Sequence, residues 1–399
     1  RLNLVQIFTL SKPLSATDTT IHIDQDPSYI EMTDRRRVLR IGRELVSYEG
    51  FSNQRPYTLT GCKRGIWNTQ ASAHPEGLLF GVLDVSEFGA TSVYINQDND
   101  LQDEVAEKLA DIYDAGFKFC YYDGSEGVNP PFWFNIPYAQ WKVHRRLNPQ
   151  PLFAEGAAKT HFSWHMLSRG NAFDVFRPEV LKQEIRNHPA SEAPRMKQNF
   201  SHLNFGWLGY WVPDEKTVGT QPDMLEFVCS RAAAWDCPIG IQANLKNFDS
   251  HPRTADNFEV MRRWEEVRIN DWLTPEQKQS LQHLEQEHIL LINEKNEFEL
   301  RPYEQIENVA NSRDVRAFIF ERNGNHYVVY WHISGDRKLE LLLDAKKVSL
   351  MKDFQKKSGI GFSRSSGRIT VPVNNRLYMK IAGTEKSKII DAFRNAKIV

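Results

Sequence analysis

Charge of one sign has no surplus in this chain, where 50 Lys and Arg stand against 51 Asp and Glu. That balance removes the electrostatic footprint of a phosphate-backbone binder and excludes nucleic acid as the main partner. No apolar run approaches the roughly 18 residues of a membrane-spanning helix, so no membrane span is expected. Cysteine is scarce, and Cys62, Cys120, Cys229 and Cys237 form no CxxC pair. A zinc knuckle and a disulfide framework are therefore not indicated, and a Cys229–Cys237 bridge stays open beside simple burial. The sequence holds no Walker loop, no GxGxxG, no heptad repeat, no HExxH and no GxSxG elbow. Chemistry without metal or cofactor is expected, and Cys120, inside an apolar run, reads as an inert thiol. The chain opens at Arg1 without a leader and reads as a mature or trimmed product.

Aromatic residues are plentiful. They make up 12% of the chain, ten of them Trp, and many stand among Gly, Pro and polar neighbours, as in Pro131-Phe132-Trp133-Phe134 and Phe205-Gly206-Trp207-Leu208-Gly209-Tyr210-Trp211. That is the composition of a sugar-stacking surface, although a large core also uses Trp. At 399 residues the length predicts two or three domains. Residues 1–80 alternate short β-like runs with turns: Thr20–Ile23, Arg37–Ile41, Glu44–Gly50 and Tyr57–Gly61. The pattern Gly61-Cys62-Lys63-Arg64-Gly65, then Asn68–Ala71 and Ala73-His74-Pro75-Glu76-Gly77, resembles the ending of small β modules of phage tail and fibre proteins. Residues 12–80 are accordingly expected to form an accessory or inserted module.

Residues 81–295 change texture, with apolar strands alternating with amphipathic helices, the sign of a parallel sheet with crossover helices. Leu101–Ala115 carries Val105, Leu109, Ile112 and Tyr113 at helical spacing, and Gly116 stops it. Strands are expected at Phe117–Tyr122, Pro151–Ala154, Phe162–Met166, Ser201–Gly206 and Ile239–Asn244, and helices at Asn257–Asp271 and Pro275–Ile292. The expected fold class is α/β, a (β/α)8 TIM-type barrel. Five or six strands are legible against the eight of a closed barrel, so the rest hide in the first hundred residues or lie upstream of Arg1. Residues 296–399 read as a C-terminal β-sandwich, with strands such as Ala317–Phe320, His326–Trp331, Leu339–Leu343, Val348–Met351 and Arg368–Val371.

Polar residues directly after buried strands are where barrel enzymes keep their active sites. Cleaving a glycosidic bond needs two carboxyl groups on opposite sides of the anomeric carbon. Asp123 and Glu155 are the best pair, each after an apolar strand, each beside a Gly, and 32 residues apart, one βα unit with a long loop. Glu126 is the substitute for either. Tyr122, Trp133, Trp164, His165, Trp207 and Asn244 are candidates to contact a sugar, and strand alternation lets only one of Tyr121 and Tyr122 face the lumen. The bland alternatives stay open: Asp123-Gly124 as a turn or helix cap, Glu155 on a solvated loop, and each Trp in a core.

On these two strand ends and the C-terminal sandwich, the sequence resembles retaining α-glycosidases with an α-amylase-like barrel, nearest to the endo-α-N-acetylgalactosaminidase group. The resemblance implies a nucleophilic Asp123, an acid/base Glu155, a carbohydrate substrate and an extracellular or periplasmic site of action. Two other classes are kept: a non-catalytic carbohydrate-binding or phage-like surface protein, and a polysaccharide lyase using Tyr and His. Nothing in the sequence sets an oligomeric state.

Overall fold

The computed structural model describes residues 2–30, 37–84, 94–97, 100–125, 127–128, 130–167, 169–171, 177–198, 202–283, 285–354, 359–365 and 367–399. The chain divides into two compact units, Arg1–Ser168 and Arg169–Val399.

The first unit opens with β1 (Leu4–Thr9), β2 (Ile21–His22), β3 (Val38–Ile41), β4 (Glu44–Ser47), β5 (Gly50–Ser52), β6 (Thr58–Thr60) and β7 (Leu79–Leu83). These make two antiparallel sheets, ordered β1-β7-β3-β4 and β2-β6-β5. Alternate residues of both sheets, among them Phe8, Ile21, Leu39, Val46 and Leu59, meet in one core. At its edge Glu44 is fully buried and gathers most of the Arg64–His74 motif. Arg64 binds both its oxygens at 2.7 Å, His74 Nε2 lies at 2.9 Å, and the Gly65 and Ser72 N–H groups donate at 3.1 and 3.2 Å. Gly65 adopts φ +64°, and a Cβ there would sit 2.9 Å from the Thr69 carbonyl oxygen, so the motif needs glycine at that turn. Burial alone would raise the Glu44 pKa, but the bonds from Arg64, His74 and Ser72 outweigh it and hold the carboxyl at about 2.

The same unit continues with α1 (Leu101–Tyr113), β8 (Phe119–Tyr122), α2 (Phe132–His144) and β9 (Phe153–Gly156). β8 and β9 pair in parallel, Tyr121 opposite Glu155 and Tyr122 opposite Gly156. Two expectations shift here. α1 buries Ala106, Ala110 and Tyr113 and leaves Val105, Leu109 and Ile112 exposed, because the small alanines allow the closer approach. Phe162–Met166 is not a strand: the Thr160 N–H binds Ser163 Oγ, and the Met166 and Leu167 N–H groups return to the Ser163 carbonyl, curling the chain into turns.

In the second unit, β10 (Arg169–Asn171), α3 (Pro178–Gln198) and β11 (His202–Asn204) form one parallel pair with its crossover helix. β12 (Trp207–Gly209), α4 (Pro222–Ala234) and β13 (Gly240–Gln242) form another. The expected strand Ser201–Gly206 thus becomes β11 followed by a break, where Gly206 takes φ +57°. Then come α5 (Leu245–Ser250), α6 (Thr254–Ile269) and α7 (Pro275–Leu281). The expected helix Pro275–Ile292 stops after Leu281, since the apolar run that follows is claimed by a sheet.

That sheet belongs to β14 (Glu287–Ile292), β15 (Phe298–Gln305), β16 (Val315–Arg322), β17 (Asn325–His332), β18 (Arg337–Leu341), β19 (Val348–Met351), β20 (Ser363–Ser365), β21 (Arg368–Val373), β22 (Leu377–Ile381) and β23 (Lys397–Ile398), with α8 (Lys386–Arg394) before the last. They form two antiparallel sheets, β14-β15-β16-β17-β22-β19 and β20-β21-β18-β23. The larger sheet is buried on both faces. Val328 and Tyr330 point into the core shared with Leu339, Val371 and Phe393, while Val329 and Trp331 pack with Tyr303 and Phe318. Trp331 Nε1 donates to Gln221 Oε1 at 2.9 Å, tying that second face to the start of α4. All four cysteines are free, and Cys229 and Cys237 are simply buried. Among the described residues no helix is long and apolar enough to cross a membrane.

Candidate functional site

Strand pleating decides what the end of β8 can do. Cys120, Tyr122 and Ala154 share the face that packs against Val143 of α2, and Tyr122 is buried there with Met166 and Leu167. Tyr121 and its register partner Glu155 therefore project from the opposite face, and Asp123 follows β8 in a turn. The ladder runs one bond further, from the Ala157 N–H to the Tyr122 carbonyl at 3.1 Å.

Asp123 is exposed and opens a turn in which Gly124 adopts φ +64° and Ser125 Oγ donates to the Tyr122 carbonyl. It caps no helix, since α2 starts after Pro131. Glu155 is half-buried on β9 itself rather than on a loop beyond it. Glu126 lies outside the described residues.

A cleft of about 490 Å³ lies over the end of β8, between α1 and α2. Asp123, Tyr121, Tyr122 and Ser125 form one side, Gln102, Val105 and Leu109 of α1 another, and Ala139, Gln140 and Val143 of α2 a third, with Tyr94, Ile95 and Gln97 completing it. Gln97, Gln102 and Gln140 contribute to this lining, with their side-chain oxygens turned into the protein rather than toward the cleft. Among the described residues of the lining, the one ionisable acid is Asp123, and no Lys or Arg accompanies it. Burial raises the Tyr122 phenol, with the Cys120 thiol beside it adding to the effect, and burial raises Cys120 likewise. Both stay protonated at neutral pH.

Aromatic residues lie along α2. Trp133 is exposed, packs edge-on against Phe134 at 5.9 Å and stacks on His161 at 6.1 Å. Phe134, Tyr138 and Trp141 follow one another at 5.3 and 6.0 Å with nearly parallel planes, ending under the Arg145 guanidinium at 4.4 Å. Trp164 is exposed and meets exposed His165 edge-on at 5.7 Å. Burial, then the charge of His165, pulls His144 below the ordinary histidine range.

The first unit thus holds Asp123, Glu155, Tyr122, Trp133, Trp164 and His165. Trp207 and Asn244 belong to the second unit, at the first residue of β12 and the N-cap of α5, both exposed. Among the described residues no group of three His, Cys, Asp or Glu side chains is arranged to hold a metal ion. Sequence reasoning missed the three glutamines. The one signal was Gln140, one of several polar residues that α2 buries, with Asn135, Lys142 and His144.

No family model and no curated protein matches the chain. Solved structures that align with it include the GH27 β-L-arabinopyranosidase of Geobacillus stearothermophilus, 10% identical over 76% of this chain and 67% of that one, TM-score 0.35. Amy13B of Eubacterium rectale is 11% identical over 77% and 68%, TM-score 0.28. An α-amylase from H. orenii is 9% identical over 84% and 72%, TM-score 0.29. Likeness at these scores adds no weight to a reading of fold or activity.

Proposed function

We propose that the chain is a glycoside hydrolase built on a (β/α) barrel, with residues 1–80 as an accessory module, 81–295 as the catalytic region and 296–399 as a sandwich. The reading is a retaining enzyme on an α-linked sugar, with Asp123 as nucleophile and Glu155 as acid, then base. The observation that supports it is the parallel pairing of β8 and β9, with Glu155 on β9 and Asp123 in the turn that directly follows β8. In the first step the Asp123 carboxylate attacks the anomeric carbon while Glu155 protonates the departing oxygen. In the second, Glu155 takes a proton from water, which displaces Asp123 and restores both groups. Its polymeric substrate is met outside the cytoplasm, so an extracellular or periplasmic site of action is part of the proposal.

A panel of aryl α- and β-glycosides tests this. Asp123→Asn and Glu155→Gln should each lower turnover by roughly 10³-fold or more. Azide should then rescue them with opposite stereochemistry, giving an inverted glycosyl azide for Asp123→Asn and a retained one for Glu155→Gln. Wild-type turnover in both variants would retire the mechanism. The exposed aromatic run of α2 favours a binding-only alternative, which predicts sugar binding with no hydrolysis of any panel member.

A further inference from the structure

We infer that a basic pocket beside β20 and β21 of the C-terminal sandwich binds an anionic sugar unit, carboxylated or sulfated, of an acidic polysaccharide. The inference goes beyond the glycosidase proposal, and rests on it only in taking the anion to be borne by a sugar.

The near-neutral balance of the whole chain hides a local surplus. Residues 337–368 hold nine Lys and Arg against three Asp and Glu, so the remainder of the chain is net acidic. Folding gathers part of that surplus around one space. A pocket of about 500 Å³, within the usual range for a small-molecule site, lies between the paired strands β20 and β21, which contribute Arg364 and Arg368, and the segment after β18, which contributes Lys346. Arg368 is half-exposed and donates to Glu340 at 3.2 Å. Lys346 and Arg364 are exposed, with no acidic partner among the described residues. One acid, Asp344, shares the described lining, and its Oδ1 is turned to the Lys346 backbone N–H at 3.0 Å, closing the turn before β19. An ammonium and a guanidinium are thus left to donate into the pocket, the complement of a carboxylate or sulfate. Leu342, exposed on the same lining, suits the C–H face of a pyranose. The net acidity of the rest of the chain tells against a duplex, with a charge about every 1.7 Å, more than against a polymer with one charge per sugar.

Affinity electrophoresis of the full chain through native gels holding polygalacturonate, dextran sulfate or uncharged dextran tests the assignment, with a single-stranded oligothymidylate titrated in parallel. At least one acidic polymer should bind about tenfold or more tighter than dextran, and raising NaCl from about 50 to 500 mM should cut that affinity by about tenfold. Arg364→Glu and Lys346→Glu should each weaken it by about tenfold at an unchanged melting temperature, both residues being exposed. Lys12→Glu, at an exposed cation of the first unit, should leave it within about twofold. No preference for either acidic polymer over dextran, an unchanged Kd in Arg364→Glu, or an equal loss in Lys12→Glu each overturns it. Tighter binding of the oligothymidylate than of both acidic polymers, lost in Arg364→Glu, overturns the sugar in favour of a phosphate backbone. Acidic-polymer binding by a parent chain that turns over no aryl glycoside sinks the catalytic proposal and leaves the pocket standing. Turnover with an unchanged Kd in Arg364→Glu does the reverse.

Discussion

Two helices of equal length, α2 in the first unit and α4 in the second, follow parallel strands and solve opposite problems. Every residue of α4 is buried, including Asp223, Glu226 and Arg231. α2 buries Asn135, Gln140, Lys142 and His144 and turns Phe132, Trp133, Phe134 and Trp141 outward. In α4 both carboxylates have cationic mates, and Arg231 donates to the His283 and Gln286 carbonyls. Glu226 accepts from Arg376 and from Trp264 Nε1, both at 2.6 Å, and Asp223 lies 2.6 Å from Arg316 and 2.9 Å from Lys182. Burial would raise the Asp223 pKa, and the charges of Arg316 and Lys182 instead hold it at about 2. Inside-out patterning thus means architecture in one helix and an available surface in the other. The difference lies in whether the aromatic faces are covered: α4 buries Phe227, and α2 leaves Phe132, Trp133 and Phe134 open.

The sharpest way to break this contrast is at Glu226. Glu226→Ala strands the buried Arg376 guanidinium and should cost about 3–5 kcal/mol, read as a large fall in melting temperature or loss of the folded unit. A loss under about 1 kcal/mol would show that α4 does not depend on its pairs.

Glu44 sharpens the contrast inside the first unit, whose own buried carboxylate sits in the β module. Its native pKa of about 2 lies below the unfolded value of 4.5, so its contribution is complete above pH 4.5 and fades as pH falls toward 2. Glu44→Gln should remove about 3 kcal/mol at pH 7 and flatten the acid limb of the stability curve. Denaturant titrations from pH 7 to pH 3 check this, and an acid limb unchanged by the substitution would count against it.

The smallest effect belongs to α2. Trp141→Ala should change stability by under about 1 kcal/mol, because Trp141 is partly exposed and covers little core. A loss of 3 kcal/mol or more, in the range for a buried aromatic, would turn the aromatic run into ordinary packing.

Sequence reasoning was strongest where one signal decided the outcome. Helical spacing between Leu101 and Gly116 located α1, and apolar alternation located β16, β17 and β21. It slipped where two elements compete for one apolar run. His288–Ile292 reads as the tail of a helix until β15 pairs with it, and Phe162–Met166 reads as a strand until Ser163 binds its own neighbourhood. Asp123 was legible as a strand-end acid because its strand and its glycine are local. The glutamine cleft was not, because Gln97, Gln102 and Gln140 converge only through the packing of α1 over α2.

One consequence of α4 concerns the order in which the protein is made. Arg376, the cation that balances Glu226, follows it by 150 residues. While the chain emerges from the ribosome, this helix carries a carboxylate whose counter-charge has not yet been synthesised. The residue that completes the parallel half of this unit is thus made among the last, just ahead of β22.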